Sequence, residues 1–115
     1  MSKWNMKAWV ADLISQPAVR ALPVMTHPGI EINGNTVTQA VSDGQIHYNA
    51  VRALCARYPS VAAATIMDLT VEAEAFGATV HFSADAVPAV VGRLLPDERA
   101  IAQLEVPPLN KGRIP

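Results

Sequence analysis

Few residues in this 115-residue chain are of types that do chemistry, and they lie far apart. Asp68 stands out, because it follows the apolar run Val61–Met67 and precedes helix-forming residues. If 61–67 is a strand of a parallel sheet, Asp68 sits at its carboxyl end, where active sites of α/β architectures collect. A carboxylate there accepts a proton, or orients a cation or N–H group of a substrate. The same residue has a plainer use: capping a helix that begins near Thr70 by accepting a backbone N–H bond. His27 stands beside Pro28-Gly29 at the end of a second apolar stretch, 22–26, a position suited to a pocket wall. It is equally a loop histidine with no catalytic duty. Asn33, in the turn signal Asn33-Gly34-Asn35, belongs to a loop that would line the same entrance.

No metal site is expected within the chain. Its soft ligands are His27, His47, His81 and Cys55, and their spacings match no zinc pattern. His47 and Cys55 lie on one helix but about two turns apart. Cys55 is most simply a small core residue. His81 is expected to face away from Val80 and Phe82. Phosphate-loop, dinucleotide and nucleophile-elbow motifs are all missing from the sequence.

The elements that must position these residues follow from periodicity. Trp4, Met6, Trp9, Val10, Leu13 and Ile14 form an apolar stripe over 4–15, ended by Pro17; Lys7 and Asp12 make it a docking face rather than a membrane anchor. Residues 22–26 suggest a strand running into a turn at His27-Pro28-Gly29, and 36–41 a short helix. Ser42-Asp43-Gly44-Gln45 resembles a capping box with Ser42 as N-cap, opening a helix over 43–58 that Pro59 stops. The run 61–67 lacks alternation, as a strand covered on both faces does, although its alanines also suit a helix. A helix over 70–76 carries Glu72 and Glu74 near its positive end and stops at Gly77. Residues 78–82 alternate and can pair with 90–94 as a hairpin; Asp97 caps a helix over 98–104. Residues 106–115 have the composition of a linker, with Lys111-Gly112-Arg113 as a solvated tail.

This order makes a βαβα unit, whose strands should be parallel and whose crossover right-handed. Two such strands cannot close a barrel or cover their own edges, and a full barrel takes roughly 250 residues. The expected class is therefore α/β: the N-terminal segment of a (β/α)8 TIM-type barrel with an added hairpin, residues 1–105, joined by 106–115 to a remainder. The competing non-enzyme reading is a stand-alone binding module that covers those edges as a homo-oligomer. Half the residues are hydrophobic and the net charge is −1, which predicts a packed core and opposes a nucleic-acid surface. A single cysteine, no signal-peptide pattern and no long apolar run suggest a soluble cytoplasmic protein with no membrane partner.

Met67-Asp-Leu-Thr-Val-Glu-Ala-Glu-Ala-Phe-Gly77, followed by Thr79-Val-His-Phe82, resembles the uroporphyrinogen decarboxylase superfamily. In that family a strand ends in an aspartate and leads to a helix closed by Ala-Leu/Phe-Gly. The likeness runs from Trp4 to Pro107-Pro108 and reaches the first third of a family member. It implies a (β/α)8 barrel with Asp68 at the position of the family's active-site aspartate. One departure stands out. The decarboxylases carry Arg-Gln-Ala-Gly-Arg after the first strand, and those arginines grip porphyrinogen carboxylates. Here the stretch is Thr26-His27-Pro28-Gly29-Ile30, with the glycine kept and both arginines gone. Neither Thr26 nor Ile30 supplies a cationic fork. The resemblance is closer to the cobamide-dependent methyltransferase branch. That branch implies zinc activating a thiol acceptor, methylcobalamin on a corrinoid protein as donor, and in some relatives tetrahydrofolate as acceptor. The family's zinc ligands lie in its C-terminal half, outside this chain.

Overall fold

The computed structural model describes residues 4–113; Met1–Lys3 and the last two residues of the expected linker lie outside the described residues. In chain order the elements are α1 (Met6–Ser15), α2 (His27–Ile32), α3 (Val37–Ser42), α4 (Gly44–Arg57), α5 (Val71–Ala75), β1 (Thr79–His81), β2 (Ala89–Val91) and α6 (Glu98–Ala102). The fold is mixed, with short helices and one small sheet.

Local chemistry accounts for most boundaries. Asn5 caps α1, its Oδ1 accepting the Ala8 N–H at 3.1 Å. The capping box forms six residues earlier than the sequence suggests. Thr36 and Gln39 close it at the start of α3, while Ser42 becomes the last residue of that helix. Asp43 caps α4 instead, its Oδ1 accepting the N–H groups of Gln45 and Ile46 at 2.8 and 3.1 Å. A carboxylate also suits the positive end of a helix better than a hydroxyl does. Asp97 caps α6 as expected. After α5, Gly77 takes φ +102° and the Ala78 N–H reaches the Ala73 carbonyl at 2.9 Å, which ends the helix. The expected hairpin forms, antiparallel, with Val80 opposite Val90 and His81 opposite Ala89.

Two expectations need correction. His27-Pro28-Gly29 is the first turn of α2 rather than a turn between elements; Pro28 sits where a missing N–H is harmless. The runs 22–26 and 61–67 are not strands: neither joins a sheet, and residues 61 and 62 form a bend. They border shared recesses, yet the backbone bond near their start joins Val61 to Ala21 at a long 3.4 Å. The reason lies in competing partners. Pro23 has no N–H to offer, and the Ile66 N–H is taken by His47 Nε2 at 2.9 Å, from α4.

The core centres on α2, α3 and α4, where Ile30, Val37, Ala40 and Ala50 are buried and Ile66 packs on them. Helices α2 and α4 meet closely because residue 29 lacks a side chain. A Cβ there would stand 2.1 Å from the Ala50 carbonyl oxygen. Cys55, expected in the core, is exposed: Leu54 takes the buried position on α4 and its successor turns away. Elsewhere apolar surface is open, including Ile14 on α1, Val24, Met67 and Leu69. The radius of gyration is 18.3 Å, against about 13 Å for a compact chain of this length. No helix among the described residues is long and apolar enough to cross a membrane.

Two glycine substitutions separate close approach from backbone freedom. Gly29→Ala should lower stability by about 1–3 kcal/mol through overpacking. Gly44→Ala meets open space and should be neutral or stabilising by up to about 1 kcal/mol. Urea unfolding monitored by circular dichroism measures both.

Candidate active site around Asp68

Asp68 is neither in solvent nor simply a helix cap. Its Oδ1 accepts the Thr70 backbone N–H at 2.9 Å and the Thr70 hydroxyl at 2.7 Å, an Asx turn before α5; the N-cap of that helix is Thr70, and no side chain caps it. Its Oδ2 accepts from Arg113 Nη1 at 2.5 Å, across 45 residues of chain. The two side chains are 7% and 13% exposed, so the pair is largely withdrawn from water.

Arg113 is held on every side. Its Nε donates to Glu74 Oε2 at 2.6 Å, Nη1 also donates to the Val41 carbonyl at 3.3 Å, and Nη2 donates to Thr70 Oγ1 at 3.0 Å. The Phe82 ring covers it, 4.7 Å from centroid to Cζ. Lys111-Gly112-Arg113 is thus no solvated tail. Lys111 N–H bonds the Pro108 carbonyl at 3.1 Å, and Gly112, at φ +64°, lies against Ala75 and turns Arg113 inward. An L-residue side chain would be strained at that φ.

The electrostatics decide what Asp68 can do. Burial pushes its carboxyl up, but the Arg113 hydrogen bond, the two Thr70 bonds and the Arg113 charge together outweigh burial and hold it below the ordinary value of 3.8. Burial likewise pushes Arg113 down, and its bonds and attraction to Asp68 and Glu74 more than reverse that. At neutral pH Asp68 is therefore an anion that accepts hydrogen bonds, and a weak base. Among the described residues Oδ2 accepts one bond, from Arg113, and a carboxylate oxygen has the capacity for a second.

The other two candidate residues lie at opposite ends of α2, about 9 Å apart by helical rise. His27 is partly exposed in a groove with Val24, Pro28, Thr65 and Met67, the chain neighbour of Asp68. Asn33 is exposed in a separate recess with Asn35, Asn49 and Arg52. The structure thus brings His27 toward the Asp68 end of 61–67 and leaves Asn33 apart. Among the described residues no three His, Cys, Asp or Glu side chains are grouped to hold a metal ion. His47 serves as a hydrogen-bond acceptor, and His81 is exposed on β1. Sequence reasoning missed Arg113, Thr70 and Phe82. The available signal was two acidic residues, Asp68 and Glu74, with no cation nearby in sequence.

Acid unfolding tests the pair. Asp68 titrates lower in the folded than in the unfolded chain. Its contribution is therefore complete above 3.8 and lost as pH falls through the lowered folded value. Asp68→Asn should cost about 1.5–3 kcal/mol at neutral pH. The gap to the unaltered protein should close below pH 3.8 in acid titrations followed by circular dichroism.

None of the curated proteins matches the chain. In fold it is similar to a methyltransferase from Methanosarcina mazei, with a TM-score of 0.71 and 22% identity. That similarity covers 98% of this chain and 36% of the other, so the chain spans about a third of that protein's length. A family model described as uroporphyrinogen decarboxylase matches residues 16–115, and the chain belongs to that family.

Proposed function

We propose that this chain is the N-terminal part, residues 1–105 with the connection 106–115, of a (β/α)8-barrel methyltransferase. The complete protein moves a methyl group between a corrinoid, carried by a partner protein, and a thiol or tetrahydrofolate acceptor in the cytoplasm. Family membership and the fold shared with a protein named as a methyltransferase support the class.

The observation that carries the choice within the family is the absence of a free cationic fork beside Asp68. Thr26 and Ile30 stand where decarboxylases have arginines. Among the described residues, the arginine that contacts Asp68 is Arg113, and its donors already serve Asp68, Glu74, Thr70 and Val41. A porphyrinogen bearing many carboxylates would find beside Asp68 only a guanidinium whose donors are already engaged. A neutral acceptor with an N–H or O–H group suits the Asp68 carboxylate, and His27 borders a groove that also includes its chain neighbour Met67. The exposed apolar residues Val24, Met67 and Leu69 suit cover by further barrel strands. Zinc is implied for the complete enzyme as activator of a thiol. The described residues do not form such a site, and its ligands are expected beyond them.

The test uses the protein expressed from its whole reading frame. It should demethylate methylcobalamin with a thiol or tetrahydrofolate and leave uroporphyrinogen unchanged. Asp68→Asn should lower kcat/KM for the acceptor roughly 10- to 100-fold, the loss of one bond to a charged group. Turnover of uroporphyrinogen without methyl transfer would replace this reading with decarboxylation.

A further inference from the structure

Arg113 makes more contacts than an anchor for a chain end requires. The guanidinium is flat, and its donors diverge in one plane. One edge meets Glu74 on α5, another meets Asp68 and the end of α3 at the Val41 carbonyl, and the third meets the Thr70 hydroxyl. Thr70 in turn donates to the other oxygen of Asp68. Asp68 is therefore gripped from both sides, and its carboxylate plane cannot rotate without breaking a bond to Thr70 or to Arg113.

We infer that Arg113 is a positioning residue for substrate binding, fixing the Asp68 carboxylate in the orientation that accepts a further bond from an N–H or O–H donor of the acceptor. This rests on the reading that Asp68 meets the acceptor. The groups facing the pair are Glu74 from α5 and, across the recess that Arg113 lines, Asp43 and His47 at the start of α4. The Glu74 carboxylate, bonded to the same guanidinium, faces Asp68 with like charge once Arg113 is removed. Without Arg113, burial and Glu74 both favour protonation of Asp68, and a protonated carboxyl loses acceptor strength.

The experiment measures steady-state methyl transfer against pH in the whole protein, for Arg113→Gln and Arg113→Lys. Arg113→Gln should raise the acceptor KM roughly tenfold, with kcat at saturation little changed. The KM should also gain an acid limb that the unaltered enzyme lacks. Arg113→Lys should remove that limb, because the charge is kept, but leave KM raised, because an ammonium cannot hold all four partners. A folded Arg113→Gln protein with unaltered KM and pH profile overturns the inference. If Arg113→Gln does not fold, Arg113→Lys decides, and an unaltered KM there overturns it. If Asp68→Asn leaves methyl transfer intact, the functional reading fails. The Asp68 carboxyl resonance then still tests the grip of Arg113: an upward move in its titration midpoint in Arg113→Gln supports it, and none removes it.

Discussion

The guanidinium of Arg113 joins three parts of the chain: the last turn of α3 at Val41, the Asp68–Thr70 turn, and α5 at Glu74. Each bond connects segments distant in sequence, and the Phe82 ring closes the remaining face. A charge this far out of water is costly unless its donors are met, and here two carboxylates, a hydroxyl and a carbonyl meet them. Removing the arginine would leave two acidic groups facing each other in a poorly hydrated space. The acidic cluster and the arginine therefore require one another.

Helix packing supplies the frame for this arrangement. Gly29 lets α2 press against the Ala50 carbonyl, and Ile30, Val37 and Ala40 fill the angle between the helices. From that frame His47 reaches out to the Ile66 N–H, and Ile66 packs back on the core. The Val37 N–H and Thr38 hydroxyl meanwhile bond the Ala84 and Ser83 carbonyls, tying the hairpin region to α3. The site is thus held by a small core and a set of polar ties, not by a large apolar interior.

How much of this the sequence disclosed depends on the distance over which each cause acts. Helices were legible because caps and apolar spacing act within a few residues, as Asp97 and Gly77 illustrate. The capping box expected at Ser42 forms at Thr36 instead, and Asp43 caps α4. Asp68 was found from its place after an apolar run, and its bond to the Thr70 N–H is the local half of its environment. The other half, Arg113, lies 45 residues away and has no periodic signature. Its neighbours Pro107, Pro108 and Gly112 gave it the look of a solvated linker. The runs 22–26 and 61–67 were read as paired strands, which they are not, because pairing depends on partners that a one-dimensional pattern does not contain.

The loose association of those two runs bears on accuracy at the site. A ladder of backbone bonds would lock the sliding of one run along the other; here it is lacking. A slip by one residue would carry Asp68 about 3.3 Å along the chain direction and turn its carboxylate to the opposite face. Two side-chain pins resist this from either end: the imidazole of His47 on Ile66 and the arginine on Asp68, two residues later. Alignment of the Asp68 carboxylate is thereby delegated to side chains, so a single substitution on α4 would misplace a residue it never touches.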